Sequence, residues 1–437
     1  MSTAQHIRRA LLICLALLAL AGCSASAGPG ATPTAGPASA PAARTILVLW
    51  HAWPTPEDRA LAAVVDRFNR TTPGVQVILQ SKPMVRLRAE LGTAVADGGG
   101  PHLAIVPSHV LGGLVEEGAL LPVEGLVPTG EVARLLPAAV GAAQVQSTGG
   151  ATLYGVPITF DTLAVYYNKA NFPDPLPEDT DALLAAARGL TETGSEPPLW
   201  GMALNLSLDR TIGYLYAFGG RIFDETGGVA LGLDGRAGAE AWLAWLLALR
   251  EDERLLASMD GISVDNALQS QQALMTIDWA HAMSTYRTIW PETMGVAPLP
   301  RLTSTNRAPQ PYVQSDVLVL NARLGPSAEQ AAAASFARFL VGEQAQRELL
   351  RAGRQPVLLS LDLTDEDPAL PETLRTAAQA FRAQAEGGLP MPNARAASEM
   401  AWPVLAEMHS NVLRRLLTPT QAVEGADATL RARLGSQ

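Results

Sequence analysis

Apolar positions in this chain recur in two rhythms, one of strands and one of helices, and the two alternate. Thr45-Ile-Leu-Val-Leu-Trp50 is a continuous apolar run of strand length, the pattern of a strand covered on both faces in a parallel sheet. Thr55-Pro56-Glu57-Asp58 then opens a helix, with Thr55 as its cap, Pro56 at the first helical position and acids in the first turn. Leu61, Val64, Val65 and Phe68 fall on one face of it. Pro73-Gly74 stops the helix, and Val75 to Leu79 is the next strand, completing a βαβ unit. Met84 to Ala96 is helical, Gly98 to Pro101 breaks it, His102 to Val106 is a strand, and Ser108 caps a helix through Glu117. Such an order predicts an α/β lobe with a mainly parallel sheet. In open sheets ligands bind beyond the carboxyl ends of the strands, which points at Trp50-His51-Ala52-Trp53 and Pro107-Ser108-His109.

The pattern turns on one stretch, Tyr154-Gly-Val-Pro-Ile-Thr-Phe-Asp-Thr-Leu-Ala-Val-Tyr-Tyr-Asn-Lys169. Gly155 and Pro157 predict an irregular entry, and the alternation of Leu163, Val165 and Tyr167 with Thr162, Ala164 and Tyr166 predicts a strand. Tyr166 and Tyr167 then point to opposite faces, so at most one meets a ligand. Asp161 sits at the strand entrance, a position that suits a cleft better than a core.

Beyond it, helices are expected around Thr180 to Leu190 and Arg210 to Phe218, and a long one from Ala237 to Leu256 with Trp242 and Trp245 at core spacing. Leu274 to Asp278 is a strand followed by Trp279, and Val296-Ala-Pro-Leu-Pro300 closes this part. A polar loop from Arg301 to Gln314 leads to the strand Val317 to Leu320 and helices over 327–340 and 343–352. Trp290 and Tyr312 line a cleft edge or pack. The sequence shows no internal repeat.

The amino terminus reads differently. His6, Arg8 and Arg9 precede an apolar run from Ala10 to Ala21, the layout of a secretory signal over residues 1–22 and too short to span a bilayer. Leu20-Ala21-Gly22-Cys23 resembles the lipobox of bacterial lipoproteins, which implies lipid on Cys23. Cys14 lies in the segment that would be removed, so no thiol remains for catalysis, disulfide or metal. Ser24 to Ala43 is almost all Ser, Ala, Gly, Pro and Thr, which predicts a flexible tether, 23–44, holding a folded body near a membrane.

The formal net charge is −10, and Lys82 and Lys169 are the only lysines among scattered arginines. Loss of Arg8 and Arg9 with the leader makes the charge more negative still. Nothing here offers the concentrated basic face that nucleic acid wants. No G-x-S-x-G, H-E-x-x-H, phosphate loop or G-x-G-x-x-G occurs, and no two histidines stand at i, i+4. Neither cofactor nor metal is expected. A dispersed carboxylate pair for glycoside cleavage is the one enzymatic reading left open.

The form Y-G-V-P…D…Y-Y-N-K resembles the inter-lobe crossing of bacterial extracellular solute-binding proteins, the sugar-type receptors of ABC importers. Gly219-Gly-Arg-Ile-Phe-Asp-Glu225, Ala297-Pro-Leu-Pro300 and Met391-Pro392 with Trp402 carry the resemblance over essentially all of the chain after the tether. It implies an α/β fold of the two-lobed periplasmic-binding-protein type II class, each lobe a central sheet flanked by helices, joined by a hinge crossed several times. The first lobe would hold 45–159 and 313–356, and the second 160–312 and 357–437. The resemblance makes Asp161 the cleft acid, and puts His51, Trp53 and Glu57 in a ligand-contacting loop. It makes Trp279 and Trp402 stacking aromatics facing Trp53, with Asp209 nearby. Ser108 and His109 stand where several members carry charged contacts, and His102 where an aspartate is usual. That leaves the polar side of the pocket, and the ligand, open.

The implied function is a lipid-anchored, monomeric, extracytoplasmic receptor that closes on a sugar or oligosaccharide and hands it to a membrane permease. A polyol, glycerol-phosphate derivative or polyamine receptor is the alternative within that class. A surface-anchored glycoside hydrolase and an adhesive lipoprotein are the alternatives outside it.

Overall fold

The computed structural model describes residues 44–147, 150–224, 228–325, 328–364 and 370–434, and residues 44–437 cluster as one compact unit. The leader, Cys23 and the tether up to Ala43 lie outside the described residues.

One sheet orders its strands as Gln355–Pro356, Gly155–Asp161, Tyr312–Asn321, Leu103–Pro107, Thr45–His51 and Val75–Ser81. Thr45–His51 pairs in parallel with both its neighbours, as the βαβ pattern predicts. The other half departs from the expected parallel sheet. Tyr312–Asn321 runs antiparallel to Leu103–Pro107 and to Gly155–Asp161, because two returning segments of chain insert beside the βαβ strands. Leu47 and Leu49 are fully buried, whereas Ile46 is 49% exposed. The first strand is therefore closed on one face only, not on both.

The entry to the central stretch is itself a strand, not an irregular segment. Its irregularity is a register shift, with Val317 opposite Pro157 and Asp316 opposite Thr159, so Ile158 is the extra residue. Proline can donate nothing to a ladder, and a bulge is where a strand accommodates one. The Ile158 carbonyl accepts instead from Gln346 Nε2 at 2.9 Å.

Crossing takes one residue. Asp161 still pairs with Gln314 in the first sheet, and Leu163 already pairs with Trp279 in a second, three-stranded antiparallel sheet of Met275–Trp279, Leu163–Asn168 and Met294–Ala297. Between them Thr162 is fully buried and its hydroxyl donates to the Tyr312 carbonyl at 3.0 Å, tying two crossings side by side. A third runs through Gln355–Pro356, which pairs with Phe160 and Thr159.

The alternation along Leu163–Asn168 sorts its side chains as the pattern predicts, into two hydrophobic cores. Ala164 and Tyr166 join the core of the first sheet, while Leu163, Val165 and Tyr167 join the core around Trp242. Both tyrosines are thus buried in cores. The Tyr166 hydroxyl donates to the Trp279 carbonyl and that of Tyr167 to Asp174 Oδ1.

Most helices fall where periodicity places them, including Met84–Ala96, Thr180–Leu190 and Leu208–Ala217. The long helix is Arg236–Arg250 and stops short of Leu256, which begins a short strand beside Ala203–Asn205. The first helix is Glu57–Thr71 with Pro56 in the capping position and no side-chain cap, so Thr55 does not serve as one. Ser108 starts a short turn, Ser108–Val110, and its hydroxyl accepts the Ser315 N–H at 3.2 Å rather than capping a helix.

Candidate functional site

Where the two sheets approach, the chain encloses a cavity of about 410 Å³, walled by residues of both. His109, Asp161 and Gln314 come from the carboxyl ends and crossings of the first sheet. Trp279 and His281 follow the second sheet, Asp209 lies in the first turn of Leu208–Ala217, and Met391 and Trp402 come from the carboxyl-terminal segment.

Trp279 ends its strand and is held on two sides. Its indole Nε1–H donates to Asp209 Oδ2 at 3.0 Å, and its main-chain N–H to Asp278 Oδ1 at 2.8 Å. Arg210 bridges the two carboxylates, 2.7 Å from Asp278 Oδ1 and 3.2 Å from Asp209 Oδ2, while the Tyr286 hydroxyl donates to Asp278 Oδ2. An aromatic plane fixed by such a brace gives a ligand a flat apolar face without further loss of rotamer freedom. Trp402 also lines the cavity, from the start of Trp402–Leu413, after a π-helical turn, Ala396–Ala401. Its ring lies 6.5 Å from that of Tyr312, whose hydroxyl meets that of Tyr216 at 2.5 Å.

Each carboxylate of the wall already has a basic partner. Asp209 has Arg210, and Asp161 has His281, whose Nδ1 lies 2.6 Å from Asp161 Oδ2. Burial pulls the His281 imidazole down, but the Asp161 charge and hydrogen bond outweigh that and raise its pKa above the usual 6.5. Burial pushes His109 the other way, below 6.5, against a hydrogen bond with Gln314 and the charge of Asp316. The wall therefore presents aromatic faces, hydrogen-bonding groups and two carboxylates that each have a basic side chain beside them.

Of the residues singled out in the sequence, Asp161, Asp209, Trp279 and Trp402 meet around this cavity, with His109 and Tyr312. His51, Trp53, Glu57 and Ser108 do not line it, and each is buried in the first sheet's part. Arg354, from the third crossing, covers Trp53 with its guanidinium carbon 4.7 Å from the ring centroid while reaching Asp316 Oδ2 at 2.8 Å. Trp53, 4% exposed, is therefore not part of the cavity lining that Trp279 joins. His51 Nδ1, Trp53 Nε1 and Glu57 Oε2 are buried without a hydrogen-bond partner among the described residues. Trp290 stacks on Tyr286, away from the cavity. Sequence reasoning passed over His281, Gln314 and a lining role for Met391; the signal for His281 was its place two residues beyond a strand end.

The profile of the family described as bacterial extracellular solute-binding protein matches residues 52–347. The chain belongs to that family. Among the curated relatives of this solute-binding protein is a maltotriose-binding protein from Pyrococcus abyssi (strain GE5 / Orsay), 25% identical over 179 residues, spanning 41% of this chain and 38% of the relative. Solved structures share the fold over nearly the whole body. A cyclo/maltodextrin-binding protein complexed with maltotetraose superposes with a TM-score of 0.75 at 22% identity, covering 90% of this chain and 97% of that one. A Thermus thermophilus maltotriose binding protein bound with maltotriose gives 0.70 at 24%, covering 89% and 100%. The maltose/maltodextrin-binding domain from Bdellovibrio bacteriovorus bound to maltotriose gives 0.70 at 21%, also covering 89% and 100%. The solute-binding protein thus has the two-lobed α/β fold. Among its described residues no helix is long and apolar enough to cross a membrane, and no group of three or more His, Cys, Asp and Glu is placed to hold a metal.

Proposed function

We propose that this solute-binding protein is an extracytoplasmic receptor for a neutral oligosaccharide of the maltooligosaccharide class, which it delivers to the membrane permease of an ABC importer. The observation that supports this most directly is that Trp279 and Trp402 line one cavity together with Asp161, Asp209, His109 and Gln314. Sugar rings lay C–H faces on indoles, and their hydroxyls need both acceptors and donors. Relatives bearing maltotriose and maltotetraose in their descriptions favour linear or cyclic α-glucans over other sugars.

The basic partners of the two carboxylates argue against the alternatives. A polyamine would need free carboxylates, and a glycerol-phosphate derivative free guanidiniums; Asp161 and Asp209 are paired, and no arginine among the described residues lines the cavity. Lobes over 45–159 with 313–356 and over 160–312 with 357–437 would close on the solute because it touches both. No catalytic step belongs to this role. Lipid on Cys23 and the tether would keep the receptor beside its permease, and loss of acylation in a Cys23→Ser chain, read by mass spectrometry, tests that part.

The deciding experiment is a thermal-shift and calorimetric titration with maltotriose, maltotetraose, a cyclic glucan, polyols, glycerol 3-phosphate and spermidine. A ligand at 100 times its dissociation constant stabilises by about 2.7 kcal/mol. Saturable binding of the glucans alone supports the proposal. A response to a charged compound without any to a saccharide overturns it, and release of reducing ends from a bound glucan would make the protein a hydrolase.

A further inference from the structure

A second concavity, of about 550 Å³, lies between the turn after Leu208–Ala217, the loop 301–310 and Gly387. Arg221, Arg301 and Arg307 all line it, together with Asn306, Gln310 and Tyr216, and no carboxylate among the described residues does. None of the three arginines makes an ion pair among the described residues. Glu178, whose carbonyl accepts the Arg301 N–H, lines an adjoining groove, and Glu386, beside Gly387, interacts with Arg382.

The loop that carries two of the arginines is tied down. Leu302 N–H donates to the Arg307 carbonyl at 2.9 Å, Asn306 N–H to the Leu302 carbonyl at 2.8 Å, and the Thr305 hydroxyl to the Ala217 carbonyl at 3.0 Å. The Arg301 guanidinium is oriented by the Asn306 carbonyl at 2.5 Å and side-chain oxygen at 3.2 Å. Arg307 lies against Gly219, where φ is +86° and a Cβ would stand 3.0 Å from its Nη1. Glycine at that point serves both the left-handed backbone and the approach of the guanidinium.

A protein with a formal net charge of −10 repels anions at long range, so three guanidiniums gathered with no carboxylate among the described lining residues mark a local reversal of field. Guanidinium forks offer donors only, and a group with several acceptor oxygens and more than one negative charge satisfies them best. We propose that Arg221, Arg301 and Arg307 form a phosphate-binding pocket, separate from the saccharide cavity, for free phosphate or the phosphoryl head group of a lipid. Tyr216 lines this pocket and Tyr312 the cavity, so the pair bonded through their hydroxyls stands between the two sites.

The test uses the whole chain carrying Cys23→Ser, so that no lipid of its own confuses the result. Inorganic phosphate is titrated by calorimetry at low salt, and flotation is measured with vesicles of phosphatidylcholine with and without phosphatidylglycerol. The pocket predicts saturable binding of one phosphate, weakened roughly tenfold or more by R221Q/R301Q/R307Q and by added salt. Single R221Q and R307Q chains, each weakened by about threefold, keep the test open if the triple variant does not fold. Flotation dependent on phosphatidylglycerol and competed by phosphate identifies a head group; phosphate binding without flotation identifies the free ion. Absence of both from the unsubstituted pocket, or equal binding by the arginine variants, overturns the proposal whatever the saccharide result.

Discussion

Asp161 and His281 meet through two contacts: His281 Nδ1 lies 2.6 Å from Asp161 Oδ2, and the His281 main-chain N–H donates to Oδ1 at 3.2 Å. One residue ends a strand of the six-strand path and the other follows a strand of the second sheet, so the pair joins the two halves at the cavity wall.

That pairing has a pH signature. The folded pKa of His281 is raised above its ordinary 6.5, so its contribution is fully present below the unfolded value and is lost as pH rises through the folded one. Asp161→Asn should therefore lower the melting temperature more at about pH 5.5 than at about pH 9. Equal losses at both would show that the ion pair contributes nothing.

Trp279→Ala should weaken maltotriose binding at least tenfold, about 1.4 kcal/mol, and Trp402→Ala by a similar factor. Trp279→Phe keeps an aromatic face and should lose less. Calorimetry measures both, and unchanged affinity would remove the residue from the site.

Gly155 opens the strand that leads to the crossing. A Cβ there would stand 2.4 Å from Val317 Cγ1 and 2.7 Å from the Leu318 carbonyl oxygen, which is backbone and cannot swing aside. Gly155→Ala is expected to cost about 1–3 kcal/mol in denaturant unfolding. A neutral result would mean the crossing strand shifts freely.

His409 acts in the opposite sense to His281. Burial lowers its pKa from 6.5 to about 4, against the nearby charge of Asp209. Between those values the unfolded chain takes up a proton that the folded one refuses, so stability falls by up to about 3 kcal/mol as pH drops through that window. His409→Gln should flatten that part of the pH–stability curve, and an unaltered slope would assign the loss to other groups.

Strands and helices of this chain were legible because burial imposes a period that local sequence must obey. Alternation along Leu163–Asn168 placed Tyr166 and Tyr167 on opposite faces, and helical spacing put Trp242 in a core. Asp161 could be singled out from its place at a strand entrance, whereas Trp279, Trp402 and Asp209 were singled out with the family resemblance, and all four line the cavity.

What sequence could not decide were relations between residues far apart in the chain. Trp53 is buried in the first core with Arg354, some three hundred residues later, over its ring, and no local pattern encodes that contact. The sheet lost its parallel order when Tyr312–Asn321 inserted beside Leu103–Pro107. His281 became part of the cavity wall only when two sheets brought it to Asp161. Hydrophobic period is written residue by residue along the chain and so was fixed by sequence alone; which polar group finds which partner depends on the packing of whole elements, and only the tertiary structure settled it.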